Sequence, residues 1–169
     1  MKKLMTTLAF IGMMNAAQAQ CDNLLSYEVD EFSGKGNWAN KEQIILSDNG
    51  VDGMYMMLLM ANDTRKTLIW ITTSTEVGCV DKGKKVELVF TDGERMTLYS
   101  EGTFNCKGKA TCYFGNIFGK KSEMQKLATT TIDMIRVQGS STSHSEKLKP
   151  QTAEYFKSTF SCLVEEMKK

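Results

Sequence analysis

The first nineteen residues decide which part of this chain can fold, and where. Lys2 and Lys3 give a positive start, and residues 4–16 form an almost uncharged, mostly apolar run. Ala17-Gln18-Ala19 then supplies the small-x-small pattern that signal peptidase accepts. These three zones are those of a secretory leader and place cleavage after Ala19. The apolar run is too short for a spanning helix, which takes about 20 residues. A lipoprotein is the rival reading because Cys21 follows at once, but acylation needs a small residue before the cysteine, and Gln20 is not small. The expectation is a leader over 1–19 and one exported globular domain over 20–169, held in the periplasm or released from the cell. No later segment suggests a membrane span: the longest apolar run, Met54–Ala61, is short and reads as a buried strand.

Export puts the cysteines in an oxidising compartment, where disulfides form. The chain has five: Cys21, Cys79, Cys106, Cys112 and Cys162. An odd number leaves at least one thiol free or paired between chains. The most local candidate pair is Cys106 with Cys112, because Lys107-Gly108-Lys109 can reverse the chain between two strands. A bridge there requires Cα atoms within about 7 Å. The spacing does not fit a zinc site, and the single histidine, His144, is remote. No metal or other cofactor is expected.

The full chain carries 21 basic and 20 acidic side chains. Losing the two leader lysines brings the balance to −1. A near-neutral chain lacks the basic surface a nucleic-acid binder needs. It also lacks the charge for electrostatic attachment to anionic membranes. About 150 residues can bury roughly 68–70% of the unfolded surface, enough for one real core.

Periodicity sets the architecture. Leu25, Tyr27 and Val29 alternate with polar residues as in a half-buried strand. Residues 32–40 are loop-like, and residues 43–47 suggest a second strand. Residues 53–61 and 67–73 read as a central antiparallel hairpin rich in apolar and β-branched residues. Residues 85–90 and 95–99 flank Thr91-Asp92-Gly93-Glu94. A two-residue turn would mix apolar and polar residues on each face. A three-residue loop, with Gly93 left-handed, pairs Leu88 with Met96 and Val86 with Leu98 on one apolar face. Glu87, Val89, Arg95, Thr97 and Tyr99 then share the other. Residues 110–118 and 132–137 read as strands, 122–128 as a short helix, and 139–145 as a polar loop. Pro150 suits a first helical position. After it, Ala153, Phe156, Phe160, Leu163, Val164 and Met167 recur at spacings of three and four, one apolar stripe. Cys162 falls on the flank of that stripe, placed either to bridge a neighbouring loop or to stay free. The sum is an α+β fold: a mainly antiparallel sheet of about eight strands, curled or sandwich-like, with the C-terminal helix on one face. A pure β-sandwich is the alternative.

Several short runs resemble a set of uncharacterised small secreted proteins of Bacteroidetes-type bacteria. They are Cys79-Val80, Val89-Phe90-Thr91-Asp92-Gly93, Phe104-Asn105-Cys106, Tyr113-Phe114-Gly115, Phe118-Gly119-Lys120-Lys121 and Ser161-Cys162-Leu163. The likeness covers roughly residues 65–165, with a weaker echo at residues 30–34. It implies export and a shared fold, and it carries over no site.

Candidate sites are few. His144 lies in a serine-rich stretch without a G-x-S-x-G elbow, and reads as an exposed loop residue. Asp48-Asn49-Gly50-Val51-Asp52-Gly53 partly mimics a calcium loop but has Leu59 where the bidentate glutamate belongs, so a turn is expected. Glu28 and Asp30 share one strand face, a separation compatible with paired carboxylates but equally with a solvated edge. Trp38, in a glycine-rich loop, is the candidate surface contact for a sugar or a protein. These features favour an exported non-catalytic domain that binds a partner or serves the envelope. A carboxylate-dependent hydrolase, or a secreted inhibitor or effector acting on a partner protein, are the alternatives.

Overall fold

A computed structural model describes residues 21–168 apart from residues 30, 33, 48–53, 62–65, 74 and 115–120. It is an α+β fold of antiparallel strands: β1 Leu25–Val29, β2 Gly36–Asn40, β3 Ile44–Ser47, β4 Met54–Ala61, β5 Lys66–Thr72, β6 Lys85–Phe90, β7 Arg95–Tyr99, β8 Lys109–Phe114, β9 Ile132–Gln138 and β10 Ser143–Lys147. Helix α1 is Lys121–Thr129 and helix α2 is Pro150–Glu166. The ten strands exceed the eight expected, because β2 and β10 form in stretches that read as loops.

The strands make two open sheets. One runs β1-β2-β4-β5-β8, with β3 also on β4. The other runs β10-β9-β6-β7. Strands β2 and β3 divide β4 between them: β2 pairs with its last residues and β3 with its first. The chain jogs at Asn40, whose side-chain amide donates to the Glu42 carbonyl.

The register of β6 and β7 is the one the apolar face demands. Val86 pairs with Leu98 and Leu88 with Met96. Gly93 takes φ 85°, and its N–H donates to the Phe90 carbonyl at 2.9 Å. A side chain there would suffer left-handed strain, so the glycine fixes the loop length and with it the face.

Both sheets turn their apolar faces into one core. The six-stranded sheet contributes Ile44, Met56, Ile71 and Ala110, which align across β3, β4, β5 and β8. The four-stranded sheet contributes Val86, Leu88, Phe90, Ile135 and Val137. Helix α2 lies against β1 and β3 of the first sheet, β9 of the second, and α1. Its stripe falls where the periodicity puts it: Ala153, Phe156, Phe160, Leu163 and Met167 are buried, and Val164 is partly so. Phe160 stacks on Phe156 and meets Phe114 of β8 edge-on, each at 5.9 Å between ring centroids. Pro150 occupies the first helical turn behind Lys149.

The sulfurs correct one expectation. Cys106 does not bridge Cys112; it bridges Cys79, and Cys21 bridges Cys162. Cys112 is buried and lies outside both bridges. The reason is strand alternation. Cys112 sits in mid-β8 opposite Ile69, on the face turned into the core, whereas Cys106 lies on the connection before β8. Asn105 holds that connection beside Cys79. Its backbone exchanges two hydrogen bonds with Val80, at 2.7 and 3.0 Å. Its side chain accepts from the Lys109 N–H at 3.0 Å and donates to the Lys109 carbonyl at 2.9 Å. Cys79 is held from the other side by Ser140, whose hydroxyl accepts from the Cys79 N–H at 2.9 Å. Cys162, on the flank of the helical stripe, takes the bridging alternative, its Cα 5.4 Å from that of Cys21.

Bridging residues 27 and 141 apart removes chain entropy from the unfolded state in proportion to the logarithm of loop length. Replacing Cys79 and Cys106 together by serine is expected to cost about 3–4 kcal/mol, and replacing Cys21 and Cys162 about 5 kcal/mol. Urea unfolding of the two double variants measures this; a smaller loss for the longer loop would contradict it.

Candidate functional site

The residues that pack worst are the best guide to a binding site here. Leu25, Tyr27 and Val29 follow one another on one face of β1, and their exposure rises from 3% to 46% to 52%. The strand therefore begins in the core and ends in water with its apolar residues still in sequence. Phe32, in the turn that follows, is fully exposed. Clusters of exposed large apolar side chains are uncommon unless something covers them.

The centre of this surface is an aromatic pair. Tyr27 and Trp38 face each other across β1 and β2, with ring centroids 4.8 Å apart and planes tilted by 46°. Trp38 rests its inner edge on the core. Tyr27 reaches over Gly36, where a Cβ would fall 1.8 Å from its hydroxyl oxygen. The glycine gives the ring its bed, as small residues do under cross-strand aromatics. Trp38 thus lies not in a loop but in a paired strand. Glycine and two asparagines hide that strand from propensity, and β4 imposes it by pairing with Asn37, Trp38 and Ala39.

The other sequence candidates do not join this shelf. Glu28 is exposed, on the opposite side of β1 from Tyr27 and paired with Asn37. Asp30 and residues 48–53 lie outside the described residues. His144 is not in a loop: it is the second residue of β10, opposite Val137, with Nε2 3.0 Å from Glu146 Oε1. Strand alternation turns both side chains toward the core side of the sheet's edge, where they are about three-quarters covered. Among the described residues, no three His, Cys, Asp or Glu side chains converge as metal ligands.

A second polar cluster belongs to the architecture. Lys126 of α1 pairs with Asp92 and Glu94 in the β6–β7 loop, its ammonium 5.2 Å from the centre of the Phe90 ring. Its hydrogen bond lowers the Asp92 carboxyl from its ordinary 3.8, aided by the Glu94 N–H that the same carboxylate accepts. In return Asp92, then Glu94, raise the Lys126 ammonium above its ordinary 10.5. The cluster ties the loop to the helix.

Comparison of the chain with protein-family models, with curated proteins and with solved structures finds no match.

Two outcomes follow from this geometry. Gly36→Val drives the Tyr27 ring off its bed and is expected to weaken the near-ultraviolet circular dichroism of the Tyr27–Trp38 pair, with a loss of about 0.5–1.5 kcal/mol for the separated rings. An unchanged spectrum would place the ring elsewhere. Lys126→Met is expected to destabilise the protein at pH 5–9. The Asp92 carboxyl is depressed on folding, so its stabilisation is present above 3.8 and is lost as pH falls through the lower, folded value. The Lys126 share is present below 10.5 and is lost above the raised, folded value. The gap in Tm between wild type and variant should therefore narrow below pH 3.8. A gap constant down to pH 2 would refute the assignment.

Proposed function

We propose that this is an exported, disulfide-stapled binding domain that meets its partner, a protein or a glycan of the envelope or its surroundings, through the Tyr27–Trp38 shelf. The observation that carries the reading is the exposed apolar end of β1 beside a tilted aromatic pair. Tyr and Trp supply large contact area with few rotors to freeze, which is why they anchor interfaces. A strand with no binding duty would end in polar residues here at no cost to the core.

Export is supported from two sides. The leader pattern at residues 1–19 matches a route out of the cytoplasm. Two disulfides suit an oxidising destination. The same bridges favour a free product over a lipoprotein. Acylation would need the Cys21 sulfur for a thioether, and that sulfur is bonded to Cys162. No helix among the described residues is long and apolar enough to cross a membrane.

Two measurements test this reading. The intact mass of the protein recovered from periplasm or medium is expected to start at Gln20, with a single thiol that alkylates only after unfolding. A lipid-modified Cys21 or an uncleaved leader would sink the export reading. For binding, a photo-reactive residue at position 29 is expected to give a discrete adduct in envelope extracts, or a glycan array a discrete signal. Trp38→Ala should reduce either about tenfold, as for an aromatic anchor. An adduct or signal unaffected by Trp38→Ala would remove the shelf from the interface.

A further inference from the structure

The outward face of the four-stranded sheet differs in character from the aromatic shelf. Strand register lays it out as a grid. Arg95, Val89, Met134 and Lys147 form one row across β7, β6, β9 and β10. Thr97, Glu87, Arg136 and Ser145 form the next. The middle of the first row is apolar and only half-exposed, and a cleft of about 120 Å³ opens there between Arg95 and Arg136. Its two ends are cationic.

The charge is lopsided in a near-neutral protein. Lys85, Arg95, Arg136 and Lys147 point outward from the strands of this face, against Glu87 and, beside Lys147 at the edge, Asp133. Arg136 lies 3.5 Å from Glu87 and donates its Nε–H to Ser145 at 3.0 Å. Lys147 has a loose, exposed contact with Asp133 at 3.6 Å. Arg95 makes no ion pair among the described residues. Exposed pairs of this kind exchange readily for a better partner.

We propose that this face binds an extended acidic peptide segment with the pattern acid–x–apolar–x–acid. Spacing leads to the pattern. Neighbouring strands lie about 4.8 Å apart, so Arg95 and Lys147 stand roughly 14 Å apart across four strands. An extended peptide rises about 3.4 Å per residue and turns alternate side chains to one side. Residues i and i+4 therefore reach the two cations, and residue i+2 falls over Val89 and Met134. The cleft fits a single branched aliphatic side chain, and methionine adapts its shape to one. No aromatic ring lines the cleft, and the exposed Tyr99 of this face lies two rows away opposite Lys85, so a sugar over Val89 and Met134 has no ring beneath it, which sets the peptide above an acidic glycan.

The probe is a fluorescein-labelled peptide with the core glutamate–serine–leucine–serine–glutamate, titrated against the full mature protein by fluorescence anisotropy. Saturable binding is expected, weakened by added salt because the contacts are exposed. Replacing both glutamates by glutamine, or the leucine by serine, should each weaken it about fivefold or more. Arg95→Glu and Lys147→Glu should do the same, with unchanged circular dichroism showing that these surface variants fold. Trp38→Ala should leave it intact, which separates this face from the aromatic shelf. Any of four results would overturn the proposal: no saturable binding, equal affinity for the glutamine peptide, equal affinity of Arg95→Glu, or polygalacturonate displacing the peptide while the leucine proves irrelevant.

Discussion

Everything in this protein is arranged around the stripe of helix α2. Each sheet has one apolar face, and neither face can be covered by its own strands. Phe156, Phe160 and Leu163 are fully buried where the helix meets strands of both sheets and helix α1. Side chains of this size each gain about 1.5–3 kcal/mol by leaving water. The contact is also geometric: Phe160 touches Phe114 of one sheet while the same helix packs against β9 of the other. Shift the stripe by one residue and the rotation of about 100° would turn Phe160 out of that seat. Helix position, sheet separation and the single core are one constraint seen three ways.

The disulfides act at the margins of that core. One fixes the first described residue to the flank of α2, so the N-terminal end is held on the element that closes the fold. The other gathers three connections that have no regular partners of their own: residues 75–80, the stretch before β8, and the β9–β10 hairpin. Asn105 and Ser140 supply the hydrogen bonds that a strand would have supplied. Irregular backbone has no ladder to hold its shape, and these side-chain partners hold it instead. Cys112 shows the converse: in mid-strand, facing inward, a cysteine is simply a small apolar side chain.

How much of this was legible in the sequence depended on whether local signals and tertiary demands agreed. They agreed at β6–β7, where alternation, a left-handed glycine and a three-residue loop all select one register, and in α2, where Pro150 and the spacing of the stripe do the same. They disagreed at β2 and β10. Gly36-Asn37-Trp38-Ala39-Asn40 and Ser143-His144-Ser145-Glu146-Lys147 have poor strand propensity, and each becomes a strand because a neighbour offers a ladder. The disulfide map was out of reach for a related reason. Cys79 and Cys106 meet through a bridge between Val80 and Asn105, two residues whose only link is tertiary. Of the aromatic shelf, Trp38 stood out by residue type alone; its pairing with Tyr27 and the cushioning role of Gly36 needed the register of β1 and β2.

What core packing leaves undetermined is where recognition can be read. The inward rows of both sheets are accounted for by burial, and most outward rows tolerate any polar residue. Two places depart from that tolerance in opposite ways. At the end of β1 the row that begins in the core with Leu25 stays apolar after it has run out into water; on the four-stranded sheet the outward residues are more cationic than a neutral protein needs. Neither departure is needed to close the core: the exposed apolar end of β1 adds little beyond its one aromatic pair, and like charges spread over one face repel. The two surfaces also differ in the chemistry they suit. The shelf offers dispersion and ring faces, which bind with little salt dependence. The grid offers cations at a fixed spacing around a small apolar seat, which selects by charge and by length. A partner that engaged both would have to wrap from one sheet to the other around the edge. Two separate contacts, with separate partners or separate segments of one, fit the geometry more simply.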